Sequence, residues 1–250
     1  MIDALEIAPI AVRYTRAVHI ERDFATGAPA LSGYQVTPLV LQTLGRICDG
    51  LQPTSTARAF SLTGVYGTGK SAFGLFLARY LSSTAAIRQQ LLEQHRTAPM
   101  FEALGYAGPP LLPVLVSGNN RSLRQSVLQA LHHTLTQQTN LSNITPDLLT
   151  AITSAIQDSA VAAQRVADRV EQANQALTTQ TNYGGALLII DELGQYLDYA
   201  FRQNAAPDLF VLQSLADMAI RSAQIPCVLV TILHQAFDSY APTAGAAQRT

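Results

Sequence analysis

A single lysine stands among the sixteen lysine and arginine residues of this 250-residue chain, and it closes a glycine-rich run. The run is Gly64-Val65-Tyr66-Gly67-Thr68-Gly69-Lys70-Ser71, which satisfies the spacing G-x-x-x-x-G-K-[ST] in full. That spacing builds a phosphate cradle. Its glycines permit positive φ angles and close backbone approach. Successive N–H groups then converge on an anion at the start of a helix, whose dipole adds partial positive charge. Lys70 supplies a compact ammonium able to reach between β- and γ-oxygens, where the rigid planar fork of an arginine would not fit. Ser71 offers a hydroxyl oxygen to Mg2+, and the expected nucleotide-contacting stretch runs on to Ala72.

A second group of acids follows four consecutive aliphatics in "LLIIDE". Leu187 to Ile190 bury a strand and leave Asp191 at its tip, where an acid can hold Mg2+. Glu192 beside it can accept a proton from a water attacking a γ-phosphate, so the pair points to hydrolysis rather than binding alone. The competing reading is that Glu192 merely caps the helix that follows.

Other polar groups fall at strand ends. Asn119 or Asn120, in "VSGNNR", could hydrogen-bond Glu192 and hold it away from water, or could simply form a turn. Thr231, His234 and Gln235, in "TILHQ", are candidates to face the γ-phosphate or its attacking water; His234 and Gln235 are the candidate sensors. His234 has no second histidine at ligand spacing, which argues against a zinc site. Arg121, Arg124, Arg202 and Arg221 are candidate phosphate-reaching arginines, and sequence does not choose among them.

These groups need elements to position them. Thr37-Pro38 reads as an N-cap and first turn, opening a helix with Leu39, Leu41, Leu44, Ile47 and Leu51 near helical spacing. "ARAFSLTG", "LLPVLVSG", "ALLIIDELG" and "IPCVLVTILHQ" read as four buried strands; helices are expected after each of the first three, with another over 84–95. Residues 10–24 have some β character. Continuous apolar strands alternating with helices indicate a parallel sheet covered on both faces. The Ala/Gln-rich stretch over about 140–183 reads as polar-faced helices, closer to an insertion than to a core layer. The division expected is an N-terminal segment over 1–36, a core over 37–240, and a soft tail over 241–250 that leads into a longer protein.

Composition narrows the classes. Net charge is −1, with hydrophobic residues at 48 %, which gives no electrostatic footprint for nucleic acid or a membrane surface. No apolar run approaches the length a bilayer needs, and Cys48 and Cys227 are far apart, without metal-ligand spacing. A cytoplasmic protein with buried thiols is the expectation.

"SLTGVYGTGKS", then "LLIIDELGQYL", then an apolar strand ending in polar residues resembles the ATPase core of the AAA+ and related STAND class. The "GxYGTGKS" form and "IDELGQYLDYA" are most similar to the N-terminal ATPase regions of large bacterial proteins, among them anti-phage defence ATPases of the BREX type. The resemblance covers roughly residues 37–235. It implies an α/β, three-layer P-loop NTPase with a mainly parallel sheet, in which the Walker B strand of Asp191 and Glu192 lies beside the P-loop (Walker A) strand. It also implies ATP and Mg2+ as cofactors, Lys70 and Ser71 as phosphate and Mg2+ contacts, and Asp191 and Glu192 as metal acid and catalytic base. An adenine near "VHIERDF" or "SGYQVTP" follows, with Tyr34 either stacking on the base or packing. Further implications are a fifth strand and a helical lid beyond residue 235, self-association through the ATPase face, and DNA or defence-system proteins as partners. Two functions from different classes are expected: ATP hydrolysis that drives conformational change in a larger protein, or a nucleotide-switched assembly module with little turnover.

Overall fold

Four aliphatic stretches pair edge to edge, all parallel, and helices cover both sides of the sheet they make. The computed structural model describes residues 18–27, 31, 33–94, 106–137, 144–222 and 224–235. In chain order these contain α1 (Ile20–Ala25), α2 (Pro38–Gly50), β1 (Ala59–Thr63), α3 (Lys70–Ser82), α4 (Ala85–Gln94), β2 (Leu111–Ser117) and α5 (Leu123–Gln137). There follow α6 (Pro146–Gln157), α7 (Ala163–Gln180), β3 (Gly185–Asp191), α8 (Leu193–Arg202), α9 (Ala206–Arg221) and β4 (Cys227–Leu233). The expected strand-and-helix alternation is what forms. In α2, Leu39 is exposed. Residues 1–17 and 236–250, which carry nearly half of the expected N-terminal segment and the whole expected tail, lie outside the described residues.

Side-chain alternation divides the core in two. Leu112, Val114 and Val116 of β2, with Ala186, Leu188 and Ile190 of β3, face α5 to α9. Leu111 and Leu115, with Leu187 and Ile189, face α1 to α4. A strand repeats every second residue, so an element buried on both faces must be apolar at every position. β3 and β4 meet that demand everywhere but Asp191 and Thr231, and all seven residues of each are buried.

The lateral order is β1-β4-β3-β2. The expectation that the Asp191 strand lies beside the strand leading into the glycine loop is therefore corrected: β4 sits between them. Its Val228 and Val230 pair with Leu187 and Ile189, and its Leu229 to Leu233 with Ala59 to Thr63. The physical reason lies in burial. β4 is apolar on both faces and takes an interior slot, whereas β1 exposes Ala59, Ser61 and Thr63 and tolerates the sheet edge. β2 forms the other edge, where Pro113 costs no ladder hydrogen bond if its nitrogen faces outward.

Three further expectations change. The β character of residues 10–24 gives way to helix over Ile20–Ala25, whose first turn is capped by His19. β1 is half exposed rather than buried. The Ala/Gln-rich stretch is a covering layer, not a side insertion: α7 buries Val166, Ala167, Val170, Ala173 and Leu177 in the same cluster as β3 and α9. Alanines at helical spacing let α7 lie close to its neighbours, so small residues do the work that large aliphatics do elsewhere.

Arginines hold several of these joints. Arg58 is fully buried and donates to Gly50 O at 2.9 Å, Ser222 Oγ at 3.0 Å and Gln52 O at 3.1 Å. Arg88 donates to Tyr80 O at 3.1 Å and to Tyr106 O and Gly108 O at 2.8 Å, with its guanidinium over the Tyr106 ring. Five donors in a fixed fork suit this collection of carbonyls, and one ammonium would not reach them all.

Candidate functional site

The glycine run forms the turn between β1 and α3, as its residue types require. Gly67 and Gly69 both adopt φ of +81°, a region that side chains with a Cβ enter only under strain. Gly69 caps α3 without a side chain, so the N–H groups of the first turn are left facing outward. Thr68 Oγ1 donates to Val65 O at 2.9 Å and tightens the turn.

Lys70 opens α3 and curls over the loop. Its Nζ donates to Gly64 O at 2.6 Å, Val65 O at 2.7 Å and Thr68 Oγ1 at 3.3 Å. Three donors meet three acceptors, which fixes the ammonium at the mouth of the loop. Partial burial lowers its pKa, and the nearby Asp191 carboxylate acts in the opposite sense.

Asp191 reaches this loop even though β4 separates their strands. Positions 187, 189 and 191 share the face of β3 that α3 covers, so period-2 alternation aims Asp191 at the first turn of α3. Asp191 is 3 % exposed. Desolvation raises its pKa; the Ser71 hydroxyl, the Glu192 N–H, His234 and Lys70 each favour its ionised form. A buried acid beside a hydroxyl at a helix start is the donor set that Mg2+ accepts, since that ion keeps waters and takes one or two carboxylates together with phosphate oxygens. Among the described residues no group of three or more His, Cys, Asp or Glu assembles a self-sufficient metal cage.

Glu192 leaves the strand in the left-handed region, at φ 52° and ψ 40°, and caps α8. Its N–H donates to Asp191 Oδ1 at 2.8 Å, and its Oε2 accepts from Gln195 Nε2 at 2.6 Å. Capping and site membership thus coincide in one residue. The amide that holds Glu192 is Gln195, which sequence reasoning passed over. Asn119 Oδ1 instead accepts from Ser126 Oγ at 3.5 Å, and Asn120 is exposed, so neither asparagine bonds Glu192 here. The signal for Gln195 was its spacing, three residues beyond the capping position.

A cavity of about 170 Å³ is lined by Val18, Tyr66, Lys70, Ser71, Glu192 and His234, together with Gly67, Gly69 and Ala72. The His234 ring lies 4.8 Å from that of Tyr66, and its buried Nδ1 has no hydrogen-bond partner among the described residues. Thr231 Oγ1 donates to Phe60 O at 3.4 Å, inside the sheet, and Gln235 is exposed. Tyr34 packs against Phe76 at 5.3 Å, and burial pushes its phenol well above the ordinary range. It takes the packing alternative, whereas Val18 is the N-terminal residue at the cavity.

Of the four arginine candidates, Arg124 is spent on structure: it donates to Asp208 Oδ1 at 2.9 Å and to Val161 O. Arg202 lies 3.9 Å from Asp198 on the same helix, and Arg121 and Arg221 are exposed. A larger cavity, about 630 Å³, opens between α1, β2 and α5 and is lined by none of Lys70, Asp191 or Glu192. No helix among the described residues is long and apolar enough to cross a membrane.

No protein-family model matches the chain, and no curated protein matches it in sequence. The fold and the site define the class that can be stated: an α/β protein with a four-stranded, all-parallel sheet.

Proposed function

We propose that this chain binds a nucleoside triphosphate, ATP, with Mg2+ at the Gly64–Ala72 loop and hydrolyses its terminal phosphate. The observation that carries the reading is convergence: Lys70 and Ser71 from α3 and Glu192 from the end of β3 line one cavity, with Asp191 buried beside it. A cavity of about 170 Å³ suits phosphates rather than a whole nucleotide, since pockets enclosing drug-sized ligands run to about 300–1,000 Å³. The nucleoside then lies along the surface near Val18 and Tyr66.

Roles follow from the chemistry of each group. The Lys70 ammonium exchanges its loop acceptors for phosphate oxygens, and Ser71 and Asp191 would hold Mg2+. When bound, the ion neutralises charge on the β- and γ-oxygens. Glu192 takes the proton of a water placed in line with the terminal phosphate. His234 lines the same cavity, its Nδ1 has no hydrogen-bond partner among the described residues, and it is the sensor candidate that this arrangement favours. Coupling of turnover to motion in a longer protein, and kinship with AAA+ and STAND ATPases, belong to this reading.

The test is ATP binding and steady-state hydrolysis for wild type, Lys70→Ala and Glu192→Gln. Lys70→Ala is expected to lose binding, and Glu192→Gln to bind ATP without turnover. Wild-type rates in Glu192→Gln would defeat the base assignment. Tight binding with no hydrolysis by wild type at any ATP concentration would turn the reading toward a nucleotide-controlled switch.

A further inference from the structure

Gln195 occupies the third position of α8, counted from the Glu192 cap. A glutamine there ordinarily reaches back to the backbone N–H of the capping residue. In this protein that N–H is already taken by Asp191 Oδ1 at 2.8 Å. The Gln195 amide is diverted to the capping side chain instead, donating to Glu192 Oε2 at 2.6 Å. We propose that Gln195 is a positioning residue for Glu192: it anchors one carboxylate oxygen and so presents the other to the cavity.

Three observations support this, and the inference rests on the hydrolytic reading above. Glu192 lines the cavity and Gln195 does not, so the hydrogen bond is made behind the group rather than within the reaction space. Glu192 Oε1 has no hydrogen-bond partner among the described residues, which leaves its lone pairs for a water. The backbone of Glu192 is itself held in a left-handed conformation, rare for a residue with a side chain. Such strain persists only where the surroundings impose it, and it concentrates at functional sites. With the backbone fixed, the remaining freedom is in the side-chain torsions, and Gln195 restricts those. Displacement of a reacting group by about 1 Å can cost a hundredfold in rate.

The test uses the full chain with ATP as probe. Steady-state kcat, ATP Kd and Tm are measured for wild type, Gln195→Met, Gln195→Glu, Glu192→Gln and the Gln195→Met/Glu192→Gln double variant. Gln195→Met keeps length and helix propensity but has no donor; its kcat is expected to fall about ten- to a hundredfold, with Kd and Tm unchanged. Gln195→Glu places like charge against Glu192 and is expected to fall further. The double variant should be no slower than Glu192→Gln alone, because the base that Gln195 would position is already gone. A wild-type kcat in Gln195→Met, or a loss matched by equal losses in Kd and Tm, would overturn the assignment. If Glu192→Gln retains full turnover, the base and its positioning fall together. If Glu192→Gln is inactive while both Gln195 variants turn over normally, only the positioning role falls.

Discussion

Gly118 and Glu192 lie so close that a Cβ built on the glycine would stand 2.6 Å from the Glu192 Cβ and 2.7 Å from the Glu192 carbonyl oxygen. No side chain fits there without moving backbone. Gly118 follows β2 directly, and its neighbour Ser117 is pinned from two directions: Ser117 N donates to Glu21 Oε1 at 2.5 Å, and Ser117 O accepts from Tyr196 Oη at 2.6 Å. The end of β2 is thus a fixed wall against the Glu192 backbone and Cβ. Gly118→Ala is expected to displace Glu192 and lower kcat for ATP while leaving ATP affinity close to wild type. Overpacking of this kind costs about 1–3 kcal/mol of stability, which a urea unfolding curve would read.

Lys70→Arg should fail where a charge-conserving change might be thought harmless. The ammonium donates to Gly64 O, Val65 O and Thr68 Oγ1 at 2.6, 2.7 and 3.3 Å, a compact acceptor set that matches a point ammonium better than a planar guanidinium. ATP titration is expected to show at least about a tenfold loss of affinity, roughly 1.4 kcal/mol, with an unchanged far-ultraviolet circular dichroism spectrum. Affinity equal to wild type would show that charge alone, not shape, is what the loop requires.

Arg58→Met tests the structural arginines by stability alone. The substitution keeps a flexible apolar stem but leaves the buried Gly50 O and the part-buried Gln52 O without their guanidinium donors. Each unsatisfied buried group costs about 1–3 kcal/mol; with Gln52 O partly reached by water, a total loss of about 2–4 kcal/mol in urea unfolding is expected. A change under about 0.5 kcal/mol, the usual range for surface substitutions, would mean that water replaces the guanidinium.

Asp191 sets a pH dependence. Desolvation raises its pKa above the ordinary 3.8, despite the Ser71 hydroxyl, the Glu192 N–H, His234 and Lys70 acting the other way. A carboxyl raised on folding contributes stability that is full below its unfolded pKa and is lost as pH rises through the folded value. Asp191→Asn removes that dependence. In chelator-treated protein the variant is expected to be more stable than wild type at pH 7, with the advantage shrinking as pH falls toward 3.8. Metal-dependent turnover should vanish in the same variant. Equal Tm values at pH 7 would remove the claim that ionised Asp191 is held at a cost.

The shape of the glycine loop was legible in the sequence because its signals are local. That loop depends on glycines that occupy left-handed backbone and on a lysine at a fixed offset, and neither requires knowledge of distant residues. β2, β3 and β4 announced themselves through unbroken apolar runs, and Pro38 behind Thr37 marked the start of α2, where Val40 N donates to Thr37 Oγ1 at 3.4 Å. Gln195 was missed because its local pattern matches an ordinary capping arrangement; what diverts its amide is the Asp191 carboxylate. α7 was misjudged because alanine counts as weak core material until a neighbouring helix is close enough to pack against it.

By itself the sequence determined that four apolar segments become strands alternating with helices, and that a glycine turn precedes α3, since these follow from backbone preferences and spacings within a few residues. The tertiary structure alone decided that β4 enters between β1 and β3, that Gln195 rather than Asn119 or Asn120 holds Glu192, and that Arg124 is consumed by Asp208. Lateral strand order and side-chain partnership depend on which surfaces compete for burial across the whole sheet, and spacings within a few residues do not settle that competition.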